Sequence, residues 1–171
     1  MRMVIYPDSN AFFSDWRMTR QYSQDFLAVL APGVVEVGLS PVVLAEIKRK
    51  ATHEAETALS AFRKATRSLD RNWGSAPTLA DGELDRIGTS LRAQSENALS
   101  PLIADLACRA LDWSEVTVRE LVERELEGLR PTKLSGDQTI GFRDSVIWQT
   151  IVDDASTLDE DDVIVLISKD G

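Results

Sequence analysis

The sequence predicts an α/β protein in which helices cover both faces of a central, mainly parallel sheet, giving three layers. Short apolar runs, "MVIY", "VVEVGLS" and "VIVLI", alternate with longer segments of helical spacing. These runs are apolar throughout instead of alternating with polar residues, as is typical of strands that are buried on both faces. With 171 residues, 43% of them hydrophobic, the chain is long enough for one domain with a substantial core.

The first half of the chain gives two strands and two helices. "MVIY" predicts a short buried strand, and "VVEVGLS" predicts the second strand. Between them, residues 11–32 have mostly helical spacing, and Pro32 and Gly33 close this segment. After the second strand, Ser40 is the expected N-cap and Pro41 the first helical residue of a long amphipathic helix.

The middle of the chain, residues 50–128, predicts a large and almost entirely helical insert within a single domain of residues 1–171. Cys108 is expected to be a core residue of an amphipathic helix in this insert, and Trp113 is also assigned to the core. Thr117 and Glu120 have capping-box spacing at the start of the last helix of the insert, and Gly128 ends it.

The last third contains a loop, a helix and a strand. The polar, glycine-bearing residues 129–142 predict a loop. "RDSVIWQTIVDDA" predicts a helix, and residues 163–167 give the clearest strand pattern in the chain. The side chains of this helix that we assign to the core are Val146, Ile147, Trp148, Ile151 and Val152.

Composition excludes several classes of protein. One cysteine excludes an internal disulfide framework and a cysteine-rich zinc site. No apolar stretch approaches the roughly 20 residues that span a bilayer, and the N-terminal apolar run is too short for a signal peptide. We therefore expect a cytoplasmic protein that does not bind membranes. Because the formal net charge is −9, nucleic acid would have to bind a local basic patch.

Four acidic residues are expected at the carboxyl edge of the sheet, where α/β proteins bind ligands. Asp8 directly follows the first strand, and Asp170 follows the last. Glu46 lies in the first turns of the helix after the second strand. Asp144 lies near the start of the helix that precedes the last strand, and both helices begin at this edge.

Carboxylates that lie this close together repel one another, so the cluster must be partly protonated or bind a cation. Carboxylate oxygens favour hard ions such as Mg²⁺ or Mn²⁺, and one or two such ions can promote displacement at a phosphate. Each acid alone also has an ordinary explanation. Asp8 would cap a helix, Glu46 would pair with Lys50, Asp144 would favour a helix N-terminus and Asp170 would lie in a turn. The joint placement is what indicates a metal site.

Four motifs resemble those of PIN-domain nucleases, in the family's order and over nearly the whole chain. "VIYPDSNAFF" is similar to the opening strand that ends in Asp, and "LSPVVLAEIKRK" to the helix that contains Glu. "GFRDSVIWQTIV" resembles the motif in which Asp begins an apolar helix. "DDVIVLISKDG" resembles the last strand with its Ser/Thr-x-Asp/Asn turn. "EIKRK" and "GFRDSVIW" further resemble a PIN-like subgroup with an enlarged helical insert.

The resemblance implies a metal-dependent endoribonuclease. Asp8, Glu46, Asp144 and Asp170 would bind one or two Mg²⁺ or Mn²⁺ ions, and hydrolysis of single-stranded or structured RNA would leave 5′-phosphate and 3′-hydroxyl ends. The resemblance also suggests roles for two neighbouring polar residues. Asn10 would be a metal ligand or support one, and Ser168 would hydrogen-bond the carboxylates.

Three cations that neighbour the proposed site are expected to contact substrate phosphates: Arg49, Lys133 and Arg143. Members of the family normally continue beyond the fourth motif, whereas this sequence stops at Gly171, so we expect that either the C-terminal end is truncated or the sheet edge is built differently. A role as a toxin would require an antitoxin partner. A homodimer is also compatible with the sequence.

Two other functions stay open. A PIN-like module without catalytic activity would bind RNA or protein but no divalent ion. A phosphotransfer domain would use Asp8 as a phosphoacceptor, but Asn10 stands where the dehalogenase pattern requires Asp, and no acidic pair precedes the first-strand Asp as in receiver domains.

Overall fold

The computed structural model describes residues 1–12, 15, 18–74, 81–97, 108–129, 133–135 and 138–168. The strands are β1 (Met3–Pro7), β2 (Val35–Leu39), β3 (Cys108–Ala110), β4 (Lys133–Ser135), β5 (Gln138–Ile140) and β6 (Val163–Ile167). The helices are α1 (Ser9–Phe12), α2 (Gln21–Ala28), α3 (Pro41–Trp73), α4 (Asp81–Glu96), α5 (Val118–Leu126) and α6 (Phe142–Ala155).

The main sheet has four strands in the order β3-β2-β1-β6, and every neighbouring pair is parallel. With helices around it, this sheet confirms the predicted three-layer α/β/α class. Because all four strands run the same way, their carboxyl ends form one edge. The residues that directly follow the strands at this edge are Asp8, Ser40, Leu111 and Ser168.

The core is built from the central strands and the helices that follow them. Val4, Ile5 and Tyr6 of β1 are buried, together with side chains of β2, α3 and α6. The predicted start of α3 is confirmed, since Ser40 Oγ accepts from the backbone N–H of Val42 and Pro41 is the first helical residue. This strong start signal places Glu46 in the second turn of α3.

The long helix α3 ends at Gly74, which has a left-handed backbone (φ 63°), and α4 packs antiparallel along it. Ion pairs join Arg63 to Asp85 at 3.1 Å and Arg92 to Glu56 at 3.8 Å. None of the helices in the described segments is both long enough and apolar enough to cross a bilayer.

The prediction of helix at Cys108 is wrong, because Cys108 lies in β3. This strand has only three residues, and it forms because Val37, Gly38 and Leu39 of β2 offer parallel partners to it. Pairing with a distant strand overrides the local helical spacing. The core assignment of Cys108 is confirmed, since its side chain is buried, and burial raises the pKa of its thiol to about 11.

Two local predictions differ from the structure in the number of elements. The segment of residues 11–32 contains the end of α1 and all of α2 as separate elements, and the described residues between them, 15 and 18–20, are not helical. The predicted loop at residues 129–142 contains the antiparallel hairpin of β4 and β5, with Lys133 opposite Ile140. Its triplets "KLS" and "QTI" are too short to show the alternation that would have predicted strands. At the other end of the insert, the capping box of Thr117 and Glu120 is confirmed.

The core predictions for three large side chains are wrong. Trp113 is 65% exposed in the connection after β3, and Trp148 and Val152 of α6 are 43% and 40% exposed. The buried residues of α6 are centred on Ile147 and Ile151. Residues 148 and 152 follow this stripe by one position, which turns them about 100° away from the core.

Gly38 makes room for the buried ring of Tyr6. Gly38 pairs with Arg109 of β3, and Tyr6 of the neighbouring strand β1 leans across the glycine. A Cβ atom on Gly38 would lie 2.7 Å from Tyr6 Cε1 and 2.9 Å from Tyr6 Cδ1, distances that real Cβ contacts do not show. The absent side chain therefore lets the Tyr6 hydroxyl reach over β2.

We expect Gly38→Ala to lower the free energy of unfolding by about 1–3 kcal/mol, because the added methyl group overpacks the core against Tyr6. Urea denaturation monitored by circular dichroism measures this loss. Gly82→Ala is the matched control, because a Cβ on Gly82 meets open space and alanine favours helix. Equal stability of the two variants would contradict the packing argument.

Candidate active site

Asp8 is fixed at the carboxyl edge by both its backbone and its side chain. Its backbone N–H donates to the Ile167 carbonyl at 2.8 Å, which extends the pairing of β1 and β6 beyond Pro7. The Asp8 side chain accepts from the Ser9 backbone N–H at 2.6 Å. It also accepts longer hydrogen bonds from Asn10 Nδ2 at 3.3 Å and Ser168 Oγ at 3.4 Å. Residues that follow two neighbouring strands thus meet at one carboxylate.

Glu46 and Arg143 form an ion pair between α3 and α6. Arg143 Nη1 lies 2.6 Å from Glu46 Oε1. The Glu46 side chain is only 16% exposed, whereas that of Arg143 is 64% exposed. The structure thus places Arg143, predicted as a phosphate contact, against a predicted metal ligand.

Asp144 lies in the first turn of α6, beside Arg143. This turn begins at Gly141, whose φ of 114° favours glycine, and Gly141 provides no side-chain cap. Helix α3 contacts both α1, which follows Asp8, and α6. The segments that contain Asp8, Glu46 and Asp144 are therefore neighbours at this edge.

Three more residues were predicted to contribute to the site: Asp170, Lys133 and Arg49. Asp170 lies outside the described residues, and only the backbone of Lys133 is described. Arg49 is exposed and lines a cleft of about 640 Å³ along α3. The side chains that line this cleft are Glu46, Arg49, Lys50, Thr52, His53 and Glu56.

The donor chemistry at this edge fits a hard divalent cation, because Asp8, Glu46 and Asp144 offer only oxygen ligands. The arrangement is not a complete metal centre. In the described segments, no three acidic, histidine or cysteine side chains form a group that could hold a metal ion. The Arg143 guanidinium lies against Glu46. The four-carboxylate site thus stays a prediction.

A network of hydrogen bonds and ion pairs, which the sequence analysis did not predict, connects the C-terminal end of α6 to the sheet. Asp154 accepts two hydrogen bonds from the Arg109 guanidinium, at 2.5 and 2.6 Å, and one from the Tyr6 hydroxyl at 2.5 Å. Arg109 also lies 3.7 Å from Glu36, and Arg2 approaches the same carboxylate at 3.6 Å. The network therefore joins β1, β2 and β3 to α6.

The pKa values in this network reflect burial and pairing. Burial alone would raise the pKa of Asp154, but hydrogen bonds from Arg109 and then Tyr6 hold it below its ordinary value. Burial, followed by the hydrogen bond to Asp154, raises the pKa of the Tyr6 phenol well above its ordinary value. Asp154 is therefore charged and Tyr6 neutral at physiological pH.

Asp15 is a buried acid that the sequence analysis did not identify as important. It accepts hydrogen bonds from Ser23 Oγ at 2.6 Å and from the backbone N–H groups of Arg20 and Thr19 at 2.8 and 3.1 Å. Burial acts to raise its pKa, but these hydrogen bonds outweigh it and lower the pKa to about 2. Asp15 thus organises the chain that enters α2.

A cleft of about 820 Å³ between α5 and α6 does not suit a nucleic acid. Its side chains include one cation, Arg124, and seven carboxylates, which would repel phosphates. The carboxylates are those of Asp112, Glu115, Glu120, Glu123, Glu127, Asp153 and Asp154. The carboxyl edge near Asp8 and Glu46 is the better candidate for a nuclease site.

Comparison with known protein families agrees with this fold. The family model described as PIN domain matches residues 5–171. The chain therefore belongs to the PIN-domain family, and the resemblance of its motifs is confirmed. Neither the curated proteins nor the solved structures include a significant match to it.

Proposed function

We propose that this protein is a metal-dependent endoribonuclease that hydrolyses phosphodiester bonds at the carboxyl edge of its sheet. The observation that supports this most strongly is the match to the PIN-domain family over residues 5–171, since this fold is generally that of a nuclease. The oxygen-only side chains at the edge agree with it, because they suit Mg²⁺ or Mn²⁺ and not a softer metal.

In this proposal, Asp8, Glu46, Asp144 and Asp170 hold one or two Mg²⁺ or Mn²⁺ ions. When bound, these ions supply an activated water and neutralise the charge that develops on the phosphate. Asn10 and Ser168 keep the Asp8 carboxylate oriented through their hydrogen bonds at 3.3 and 3.4 Å. Hydrolysis would leave 5′-phosphate and 3′-hydroxyl ends.

The substrate would follow the cationic side chains near this edge. Arg49 and Lys50 line the cleft beside Glu46, and Arg143 is largely exposed next to it. Lys133 would contribute from β4. A single strand is bound mostly through its phosphates, so local positive charge is sufficient even in a chain of net charge −9.

The proposal extends to the context of the enzyme. Residues 1–171 form a single domain with a helical insert at about 50–128, and the protein acts in the cytoplasm. In this proposal the enzyme is a toxin or a defence nuclease, and as a toxin it would have an antitoxin partner. It would also form a homodimer. Antitoxin binding is tested by copurification with the product of an adjacent gene.

A catalytically silent module is the second candidate, because Arg143 lies against Glu46 and no complete group of metal ligands forms within the described segments. Such a module would bind RNA without hydrolysing it. Metal removal distinguishes this function from the first one.

We expect cleavage of a single-stranded RNA to need Mg²⁺ or Mn²⁺, to stop with EDTA and to return when excess Mn²⁺ is added. The physical reason is that carboxylates alone repel both hydroxide and phosphate. Gel analysis of a 5′-labelled RNA measures the cleavage, and end-group analysis identifies the 5′-phosphate. Cleavage that persists in EDTA would contradict a metal-dependent mechanism, whereas RNA binding without cleavage in Mn²⁺ would favour the silent module.

A further inference from the structure

The Arg143–Glu46 ion pair places a guanidinium against Glu46, the side chain that the proposed mechanism needs as a metal ligand. Arg143 Nη1 lies 2.6 Å from Glu46 Oε1, and Glu46 is mostly buried. A buried carboxylate needs a positive partner, since its charge is otherwise costly. In the structure this partner is Arg143, a residue 97 positions away in sequence.

The position of Arg143 within α6 is unfavourable for a cation. It lies in the first turn of the helix, at the positive end of the helix dipole, after the N-cap residue Gly141, which supplies no side-chain cap. Glu46 compensates for this placement. The Arg143 side chain remains 64% exposed, so the guanidinium can leave Glu46 for another anion without disturbing the core.

We propose that Arg143 is an exchangeable cation, which neutralises Glu46 in the metal-free protein and transfers to a substrate phosphate when a divalent ion binds Glu46. This inference rests on the proposed metal-dependent hydrolysis and adds a regulatory coupling to it. A guanidinium suits both partners, because it forms the same paired hydrogen bonds with carboxylate and with phosphate.

The exchange predicts two effects of opposite sign when Arg143 is removed. Metal binding strengthens, because the ion no longer competes with a guanidinium for Glu46. Nucleic-acid binding weakens, because a phosphate contact is lost. If the pair only held α3 against α6, its removal would not strengthen metal binding.

Calorimetric titration of the full chain with Mn²⁺, in the absence of nucleic acid, tests the first effect. We expect Arg143→Gln to bind Mn²⁺ about two- to five-fold more tightly than the native protein, the range that a partly exposed ion pair supports. Arg143→Lys keeps the charge but loses the paired hydrogen bonds of the guanidinium, so its Mn²⁺ affinity should lie between those of the native protein and Arg143→Gln. Arg63→Gln is the matched control, since it removes an arginine from a different ion pair, with Asp85 at 3.1 Å.

Fluorescence anisotropy tests the second effect, with a labelled single-stranded ten-nucleotide RNA that gel analysis shows to be intact after the measurement. In Mn²⁺, we expect Arg143→Gln to bind this RNA about two- to five-fold more weakly, and Arg63→Gln to bind it as the native protein does. Unchanged or weaker Mn²⁺ binding by Arg143→Gln would overturn the exchange, as would unchanged RNA binding. If the native protein and all variants fail to bind Mn²⁺, the proposed metal site fails and the exchange fails with it.

Discussion

Replacing Asp8 by asparagine is expected to lower the rate of RNA hydrolysis by at least about a hundred-fold, the scale on which loss of one charge-stabilising group acts in other active sites. The same substitution should change the free energy of unfolding by less than about 1 kcal/mol. This contrast separates the two roles open to Asp8, which are local capping and metal binding.

Asp8 makes local hydrogen bonds with the start of α1. Its side chain accepts from the Ser9 N–H at 2.6 Å, and its carbonyl accepts from the Ala11 N–H at 3.0 Å. Asparagine caps helices about as well as aspartate, because its amide oxygen accepts the same hydrogen bond. A metal ligand, in contrast, loses both its charge and one of its two equivalent oxygens. Capping alone therefore predicts an active Asp8→Asn variant.

Initial rates of cleavage in Mn²⁺ and urea denaturation measure the two effects on the same protein preparation. Asp161→Asn is a suitable control, because Asp161 is an exposed acid near the amino end of β6, away from the carboxyl edge. We expect it to cleave RNA like the native protein. Near-native cleavage by Asp8→Asn would remove Asp8 from the metal site.

Local signals in the sequence explain most of the fold. Ser40 and Pro41 start α3 as predicted, and β6 has its predicted bounds, because caps and continuous apolar runs act over a few residues. β3 could not be predicted in this way. Its three residues form a strand only because β2 provides partners about 70 positions earlier in the chain.

In the candidate site, too, some features follow from the sequence and others depend on residues that are distant in the chain. The parallel topology predicts that Asp8, Glu46 and Asp144 approach one edge, since the ends of strands and the starts of helices are fixed by connectivity. Connectivity does not determine which side chains pair when the two residues are far apart in the sequence. The pair of Arg143 with Glu46 spans 97 positions, and that of Asp154 with Tyr6 spans 148. Neither has a local sequence signal.

Asp154→Ala is expected to be the most destabilising single substitution in this network, with a loss of about 2–4 kcal/mol in the free energy of unfolding. Two partners lose their acceptor at once. The Tyr6 hydroxyl belongs to a fully buried residue, so an unsatisfied donor remains in the core. Arg109 loses two hydrogen bonds and keeps the more distant Glu36, at 3.7 Å.

The neighbouring Asp153→Ala serves as a matched control on the same helix. Asp153 is exposed and accepts from Gln149 at 2.9 Å and from Ser114 Oγ at 2.5 Å. Because both hydrogen bonds lie at the surface, its removal should cost no more than about 1 kcal/mol. Urea denaturation of both variants at pH 7 gives the comparison. Equal losses would show that the buried network contributes no more than an exposed side chain.

The charge of Asp154 also predicts a dependence on pH. Its pKa is lower in the folded protein than in the unfolded chain, so its contribution is complete above the ordinary value of about 3.9 and is lost as the pH falls through the folded-state value. Asp154→Asn should therefore be less stable than the native protein at pH 7, and the difference should shrink in acid. A difference that stays constant down to pH 2 would contradict a role for the charge.

The Asp154 network also bears on the proposed active site, because α6 contains Asp154 near its end and Asp144 in its first turn. The two positions are ten residues, or about 15 Å, apart along one helix. Asp154 fastens one end of α6 to the sheet through Tyr6 and Arg109, so it sets where the other end lies. Asp154→Asn should thus weaken Mn²⁺ binding at pH 7, whereas Asp153→Asn should not. Equal Mn²⁺ affinities would show that Asp144 is positioned independently of this anchor.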